Sequence, residues 1–306
     1  MRHLLDITDL TVDDLVRVLD LAEASIPSLG RPLEGGGVAL IFEKPSNRTR
    51  QSMEMAVFQL GGHPVYTRGD EVGFDVRESV EDVARIMSGY HSILAARVFD
   101  HGVIGRLAAS ASVPVVNMLS DRSHPLQGLA DALTMRQSIG PLAGRTVAYV
   151  GDHNNVSRSL AEVAVMLGMH VRLGCPLGYE VSADELTRIA GLGPGTIEQF
   201  ADPATAVHGA AVVHTDTWTS MGQESEKVVR TEIFGRYQVN TALMAAAGED
   251  GGDAFFMHCL PAYRGLEVTD EVIEGARSLV WRQGHNRMHT ARGAMAFLMS
   301  RNGAPS

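Results

Sequence analysis

The segment Ser46–Arg50 carries two hydroxyl groups, an amide and two guanidinium groups within five consecutive positions. It follows an apolar run and opens a helical pattern, so Ser46 is expected to cap a helix whose first turn leaves backbone N–H groups free. Free N–H groups, hydroxyls and a guanidinium together suit a phosphate dianion. Arg48 and Arg50 cannot share one helix face, so one is expected to bind ligand and the other to hold structure. The alternative is a capped helix with two solvated arginines.

Three further side chains allow both a chemical and an inert interpretation. Arg97 lies inside an apolar, β-branched run, where a guanidinium needs either an ion pair or an anionic ligand. His124 follows a polar loop, and a histidine in such a position is more often inert than functional. Cys259 ends another apolar run, and a buried cysteine most often serves as a small apolar side chain. Taken singly, none of the three decides a function.

The elements that must position these groups alternate between strands and helices. Apolar runs typical of buried strands occur at residues 37–44, 63–67, 92–99, 113–119, 145–152, 170–176, 211–218 and 254–261. Helical patterns lie between them, with a capping box at Ser182 and Glu185, a cap at Asp202 before Pro203, and a final helix over 286–300. The alternation predicts an α/β fold of two doubly wound parallel-sheet domains. The polar segments follow strand ends, which is where ligands bind in such sheets.

The strongest break in this pattern is the turn from Gly140 to Gly144. It predicts a first domain over residues 1–139 and a second over residues 140–285, followed by a C-terminal helix within residues 286–306. A chain of 306 residues is long for one domain and comfortable for two.

Composition and charge exclude several classes of function. The chain has 26 Lys and Arg against 36 Asp and Glu, a net charge of −10 that disfavours nucleic acid as a partner. Its two cysteines form no disulfide framework and no metal-binding pair. No apolar run is long enough for a membrane span, and the acidic N-terminal segment is unlike a signal peptide, so a cytoplasmic protein is expected. Dinucleotide, P-loop, zinc-protease and serine-hydrolase motifs are missing, and no metal or cofactor is predicted.

Six segments occur in the order SNRTR, HPLQ, GDHNN, DTWTSMGQE, HCLPA and NRMH. In this order they resemble the aspartate/ornithine transcarbamoylase family over essentially the whole chain. The DTWTSMGQE and HCLPA segments are similar to the ornithine branch of that family, as distinct from its aspartate-specific branch. The resemblance implies a transcarbamoylase fold with a carbamoyl phosphate-binding first domain, an ornithine-binding second domain and a C-terminal helix that packs back on the first domain.

The resemblance also implies a role for each matching residue. The residues implied to bind carbamoyl phosphate are Ser46, Asn47, Arg48, Thr49, Arg97, His124, Gln127, Cys259, Leu260 and Arg287. Those implied to bind ornithine are Asn155, Asp216, Ser220 and Met221. The catalytic set would be Arg48, Arg97, His124 and Cys259.

In the implied reaction, the neutral side-chain amine of ornithine attacks the carbamoyl carbon, and citrulline and phosphate form as a step of arginine biosynthesis. Arg48, Arg97 and His124 would supply positive charge to the oxyanion and to the departing phosphate. The reaction needs no covalent enzyme intermediate, metal or organic cofactor. A homotrimer with sites shared between first domains is also implied.

The sequence departs from the family pattern at two positions. Asn47 stands where the family usually has threonine, and Glu71 lies in the loop that usually carries a glutamine reaching a neighbouring subunit's site. Two alternatives therefore stay open, a carbamoyltransferase for another amine such as putrescine and a weakly active regulatory paralogue. The second is disfavoured because the chemistry-bearing residues are present: Arg97, His124, Cys259 and Arg287.

Overall fold

The computed structural model describes residues 2–219, 224–248 and 253–302. The chain forms two units: unit 1 comprises residues 1–130 and 285–306, and unit 2 comprises residues 131–284. The division between the units falls inside the helix Pro125–Ile139, and residues 285–306 belong to unit 1. The domain limits predicted from the sequence stay a prediction. No helix in the described part of the chain is long and apolar enough to cross a membrane.

Unit 1 is built on a four-stranded parallel sheet. Its strands are β1 (Gly37–Phe42), β2 (His63–Arg68), β3 (Ile93–Arg97) and β4 (Val115–Leu119), in the order β2-β1-β3-β4. The helices along this part of the chain are α1 (Val12–Glu23), α2 (Asn47–Gln59), α3 (Gly69–Val72), α4 (Val80–Ser88), α5 (His101–Ser110) and α6 (Pro125–Ile139). Every residue of β3 is buried, as expected for a central strand of a parallel sheet.

Unit 2 is built on a five-stranded parallel sheet. Its strands are β5 (Thr146–Val150), β6 (His170–Gly174), β7 (Thr196–Phe200), β8 (Val212–Thr215) and β9 (Phe255–His258), in the order β7-β6-β5-β8-β9. Its helices are α7 (Asn155–Met166), α8 (Ala183–Ala190), α9 (Pro203–Val207), α10 (Lys227–Phe234), α11 (Thr241–Ala246) and α12 (Asp270–Ile273). The two parallel sheets confirm the predicted fold class.

The sequence patterns missed strand β7. It is an edge strand, and none of its five residues is fully buried. Its sequence, Thr-Ile-Glu-Gln-Phe, therefore lacks the continuous apolar run that marks the central strands. An edge strand that is only partly buried needs few apolar residues, so its sequence is hard to recognise as a strand.

The last helix, α13 (Val280–Asn302), is longer than predicted because it begins at Val280 and not at residue 286. The preceding Ser-Leu-Val-Trp segment has the apolar, β-branched pattern of a strand, and Ser278 does form a bridge with Phe256. Within unit 1, α13 packs closely on α1 at Gly293. A Cβ atom there would lie 2.6 Å from the carbonyl oxygen of Val18. Glycine permits this close helix packing.

Helix caps follow the sequence signals, with one correction. Asp202 caps α9 as predicted, with Pro203 at its first position. Ser182 caps α8 by accepting a hydrogen bond from the Glu185 amide at 3.2 Å. The predicted reciprocal half of this box is wrong, because the Glu185 carboxylate instead accepts from Arg188 at 2.7 Å. The guanidinium provides a stronger, charged donor than a backbone amide.

Candidate functional site

The first turn of α2 follows the carboxyl end of β1. Ser46 caps this helix, and its Oγ lies 3.4 Å from the Thr49 amide nitrogen and 3.0 Å from Thr49 Oγ1. Asn47 and Arg48 are exposed on the same turn. The turn thus presents hydroxyls, backbone N–H groups and one guanidinium to a single place, which suits an anion.

Arg50 has a structural environment instead. Its Nε donates to Glu54 Oε1 at 2.8 Å, and its guanidinium carbon lies 3.9 Å from the centre of the Tyr66 ring. An ion pair and a cation–π contact hold this side chain along the helix. Of the two arginines in the segment, Arg50 is therefore the one that these contacts assign to structure.

A buried basic cluster lies near this turn in unit 1, and we define it as Arg97, His124, Arg287, Gln127 and Thr49. Arg97 ends β3, His124 immediately precedes α6, and Arg287 lies on α13; their exposed fractions are 6%, 4% and 7%. Arg287 donates to Gln127 Oε1 at 2.7 Å and to Thr49 Oγ1 at 3.1 Å. Residues far apart in the sequence thus share one place, where two guanidiniums are shielded from water.

The charge of His124 differs from the sequence-based expectation. Burial lowers the pKa of His124 well below its usual value, and the nearby positive charges of Arg287 and Arg97 lower it further. The imidazole is therefore neutral at neutral pH. Positive charge in the basic cluster comes from the two arginines, and His124 contributes a neutral hydrogen-bonding ring.

Asp216 is the centre of a second polar group, in unit 2, at the carboxyl ends of β8 and β9. Its carboxylate accepts hydrogen bonds from Cys259 Sγ at 3.0 Å, from Asn154 Nδ2 at 2.9 Å and from the Thr217 amide at 2.8 Å. The side chain is only 7% exposed. We call Asp216, Cys259 and Asn154 the Asp216 group. A buried, oriented carboxylate of this kind suits a cationic or amine-bearing ligand.

His258 lies beside this group. In the described part of the chain, Asp216, His258 and Cys259 are the one set of three whose ligand atoms all lie within 4.8 Å of one another. Each of them is already engaged: Cys259 bonds Asp216, while His258 accepts from the Leu260 amide at 2.9 Å and contacts Glu267 at 3.3 Å. We therefore assign these atoms to protein hydrogen bonds and propose no metal site.

The remaining predicted site residues occupy varied positions. Asn155 is the first residue of α7 and is half-buried, as is Leu260, which follows Cys259 in unit 2. Glu71 is exposed in α3, and no hydrogen bond or ion pair among the described residues joins its side chain to the basic cluster. Ser220 and Met221 lie outside the described residues.

Two family models match this chain, one in each half. The carbamoyl-P binding domain of aspartate/ornithine carbamoyltransferase matches residues 2–137, and the Asp/Orn binding domain matches residues 143–298. The chain belongs to the aspartate/ornithine carbamoyltransferase family. The resemblance inferred from the six ordered motifs is thereby confirmed.

Relatives within the carbamoyltransferase family are similar over nearly the full length. The ornithine carbamoyltransferase of Hyperthermus butylicus is 46% identical over 98% of both chains. That of Acidothermus cellulolyticus is 44% identical and covers 99% of this chain and 98% of its own. The solved structure of the Pyrococcus furiosus ornithine carbamoyltransferase has a TM-score of 0.91 at 41% identity and covers 98% of this chain and 97% of its own.

Sequence reasoning passed over two residues that form hydrogen bonds near the carboxyl ends of the strands in unit 2. It selected Asn155 for ornithine, which stays a prediction, and did not single out Asn154, whose side-chain amide donates to Asp216. It also passed over Arg230, which is 5% exposed and donates to Asp152 Oδ2 at 2.6 Å and to the Trp218 carbonyl at 3.0 Å. Arg230 thereby joins the loops that follow β5 and β8. Consecutive asparagines gave no basis for choosing between them, and an arginine in a helix is usually solvated.

Proposed function

We propose that this chain transfers the carbamoyl group of carbamoyl phosphate to the side-chain amine of L-ornithine, giving L-citrulline and phosphate in arginine biosynthesis. The observation that carries this proposal is the buried basic cluster, in the unit that matches the carbamoyl-P binding model. Ornithine is chosen as acceptor because relatives at 44–46% identity over nearly the whole chain are ornithine carbamoyltransferases.

In unit 1, the phosphate group of carbamoyl phosphate binds at the first turn of α2. Ser46, Thr49 and Arg48, with the amide of Asn47, supply hydroxyl, guanidinium and N–H donors. Donors fixed before the reaction stabilise the charge that moves onto the departing phosphate without having to reorganise. The carbamoyl oxygen becomes an oxyanion during attack and is stabilised by the buried basic cluster.

Within that cluster, Arg97 supplies fixed positive charge to the oxyanion. Arg287 is held by Gln127 and Thr49, so its guanidinium orientation is set in advance. His124 is neutral because its pKa is lowered, and it polarises the carbamoyl group by hydrogen bonding. A neutral donor costs less to bury than a third positive charge.

In unit 2, the Asp216 group binds the amine of ornithine. A free alkyl amine has a pKa of about 10.4, so the nucleophile is mostly protonated at neutral pH. The Asp216 carboxylate, with Cys259 Sγ 3.0 Å away, holds the ammonium form and positions the neutral form. Asn155 is proposed to bind the amino-acid end of ornithine with Ser220 and Met221, and Cys259 and Leu260 contribute to the carbamoyl contacts. The positioned amine needs no covalent enzyme intermediate.

We also propose a homotrimer that works in the cytoplasm. The family resemblance supports the trimer, and Glu71 is exposed in α3, where another subunit could reach its side chain. Both cysteines are free, which fits a reducing compartment. No metal or organic cofactor is proposed.

A direct assay tests the proposed reaction. The purified protein with carbamoyl phosphate and ornithine is expected to release citrulline and phosphate in equal amounts, while aspartate in place of ornithine gives no carbamoyl product. Absence of citrulline in a correctly folded protein would favour the regulatory paralogue, and equal use of aspartate would contradict the choice of acceptor.

A further inference from the structure

We propose that the hydroxyl group of Tyr149 is a further amine-binding group for ornithine. No motif marks this residue, which lies inside β5 in unit 2. The inference rests on the proposed function and adds a residue to the ornithine-binding half of it.

The register of the sheet places Tyr149 below the Asp216 group. Tyr149 pairs with His214 on β8, and His214 pairs with Met257 on β9. Neighbouring residues in register point to the same face of a parallel sheet, and so do residues two positions further along each chain. Those positions hold Asp216 and Cys259, whose side chains are hydrogen-bonded at 3.0 Å. Tyr149 therefore shares a sheet face with them.

The ring of Tyr149 extends towards the same end of the sheet. It stacks on His214 with the ring centres 5.7 Å apart and the planes at 25°. A Cβ atom at Gly151 would lie 3.9 Å from Tyr149 Cε1, so the ring passes beside the last residues of β5. Gly151 has no side chain to separate this ring from the strand end where Asp216 lies.

The hydroxyl itself is buried and has no hydrogen-bond partner in the part of the chain that the structure describes. Tyr149 is 1% exposed, and its oxygen has no hydrogen bond to any of the described residues. A buried hydroxyl without a partner costs free energy that phenylalanine would avoid at nearly the same volume. Such a group is expected where a ligand supplies the missing hydrogen bond.

The charges around the hydroxyl indicate which ligand. Burial raises the pKa of Tyr149 well above its usual value, and the carboxylates of Asp216 and Asp152 raise it further, so the phenol stays protonated. Its proton can point towards a carboxylate while its oxygen accepts an N–H from an amine or ammonium group. Ornithine carries two such groups, whereas carbamoyl phosphate offers mainly acceptor oxygens at its phosphate end.

The test is the Tyr149→Phe variant, which removes only the hydroxyl. KM for ornithine should rise about tenfold, as expected for loss of one hydrogen bond to a charged or polar group, with KM for carbamoyl phosphate unchanged. The melting temperature should stay the same or rise, because an unmatched buried hydroxyl has been removed. A purely structural role would lower the melting temperature and leave KM for ornithine unchanged.

Tyr237 provides a matched control in the same unit. It is 3% exposed, and its hydroxyl donates to the Ala201 carbonyl. Tyr237→Phe should therefore lower the melting temperature, because it removes this hydrogen bond, and KM for ornithine should stay at the wild-type value.

Wild-type citrulline formation tests the proposed function separately, so its failure is distinguishable from failure of this inference. Given an active wild type, a Tyr149→Phe protein with unchanged KM and kcat for ornithine overturns the proposal. If KM rises equally for ornithine and putrescine, the contact is with the side-chain amine. If it rises for ornithine alone, the contact is with the α-amine. Either rise supports the proposal.

Discussion

Arg97 and Arg287 are buried cations, and burial of charge is expensive unless it is matched. Arg287 donates to the side chains of Gln127 and Thr49, which orient its guanidinium group. The proposed role of the basic cluster is to stabilise a transition state that develops negative charge.

Arg97→Lys tests this interpretation at one residue. Lysine keeps a charge but loses the planar set of donors, so kcat should fall about 10²–10³-fold while the fold is retained. Arg264→Lys is the control, because Arg264 is an exposed residue paired with Asp270. Circular dichroism and steady-state kinetics of both variants provide the measurement, and near-normal turnover in Arg97→Lys would remove Arg97 from the chemistry.

The pH dependence follows from two pKa values. Because the pKa of His124 is lowered, this histidine is already neutral at pH 7 and its titration does not shape the profile above that pH. The attacking amine titrates near pH 10.4, so kcat/KM for ornithine should rise about tenfold per pH unit from about pH 7 to about pH 9. His124→Asn should lower the rate and keep this slope. A flat wild-type profile would show that deprotonation of the amine does not limit the reaction.

The sequence predicted which residues form the candidate site better than it predicted their contacts and their protonation. The Ser46–Arg50 segment predicted a capped helix, which the structure has, and an anion site. It left Arg48 and Arg50 as the two candidates for the ligand-binding arginine. The contacts that distinguish Arg50 from Arg48 are an i,i+4 ion pair with Glu54 on the same helix and a tertiary contact with Tyr66. The neutrality of His124 likewise depends on burial beside two arginines from distant segments, which no local pattern contains.

Among the elements, central strands were predictable and peripheral ones were not. The buried runs of β1, β3 and β5 are continuous and apolar, so the sequence marks them clearly. The edge strand β7 is only partly buried, so its sequence carries no clear strand pattern. The first turn of α13 was also missed, because the sequence predicted a helix only from residue 286. The close contact between α1 and α13 at Gly293 could not be predicted from the sequence either, because it joins residues that are far apart in the chain.

Gly293→Ala tests that helix contact. The added methyl group would lie 2.6 Å from the Val18 carbonyl oxygen, so the free energy of unfolding should fall by about 1–3 kcal/mol. Gly105, inside α5, has no atom within 4 Å of the corresponding position. Gly105→Ala should therefore stabilise the protein by about 0.5–1 kcal/mol, because alanine loses less backbone entropy in a helix. Urea denaturation of both variants compares them, and equal stabilities would contradict the tight contact.

For the whole molecule, the fold class and the family are established, and the assembly is proposed. The chain has two parallel-sheet units, and the two carbamoyltransferase family models match residues 2–137 and 143–298. The domain limits predicted near residue 140 stay a prediction, and the units divide between residues 130 and 131. The homotrimer is a proposal, because the structure of one chain does not show where another subunit binds.

The homotrimer can be tested by complementation. If the Glu71 loop serves a neighbouring subunit, mixing an inactive Arg48→Ala protein with an inactive Glu71-loop variant should restore part of the activity in hybrid trimers. Light scattering of the wild type should give three times the mass of the 32.9 kDa chain. A fully active monomer would contradict the shared site.

The most direct test of the account is the choice of amine. Putrescine lacks the α-carboxylate of ornithine, and lysine places its amine one methylene further from the reacting carbon. A site with polar groups paired to the amino-acid end should prefer ornithine to putrescine by about 10⁴ in kcat/KM, because its own groups are otherwise left unpaired. Lysine should also be a poor substrate because its amine is misplaced.

The measurement is the set of specificity constants for ornithine, lysine and putrescine, in the wild type and in Asn155→Ala. The account predicts a strong preference for ornithine in the wild type and a selective loss of its advantage over putrescine in the variant. Comparable wild-type values for ornithine and putrescine would contradict it and leave only membership of the carbamoyltransferase family.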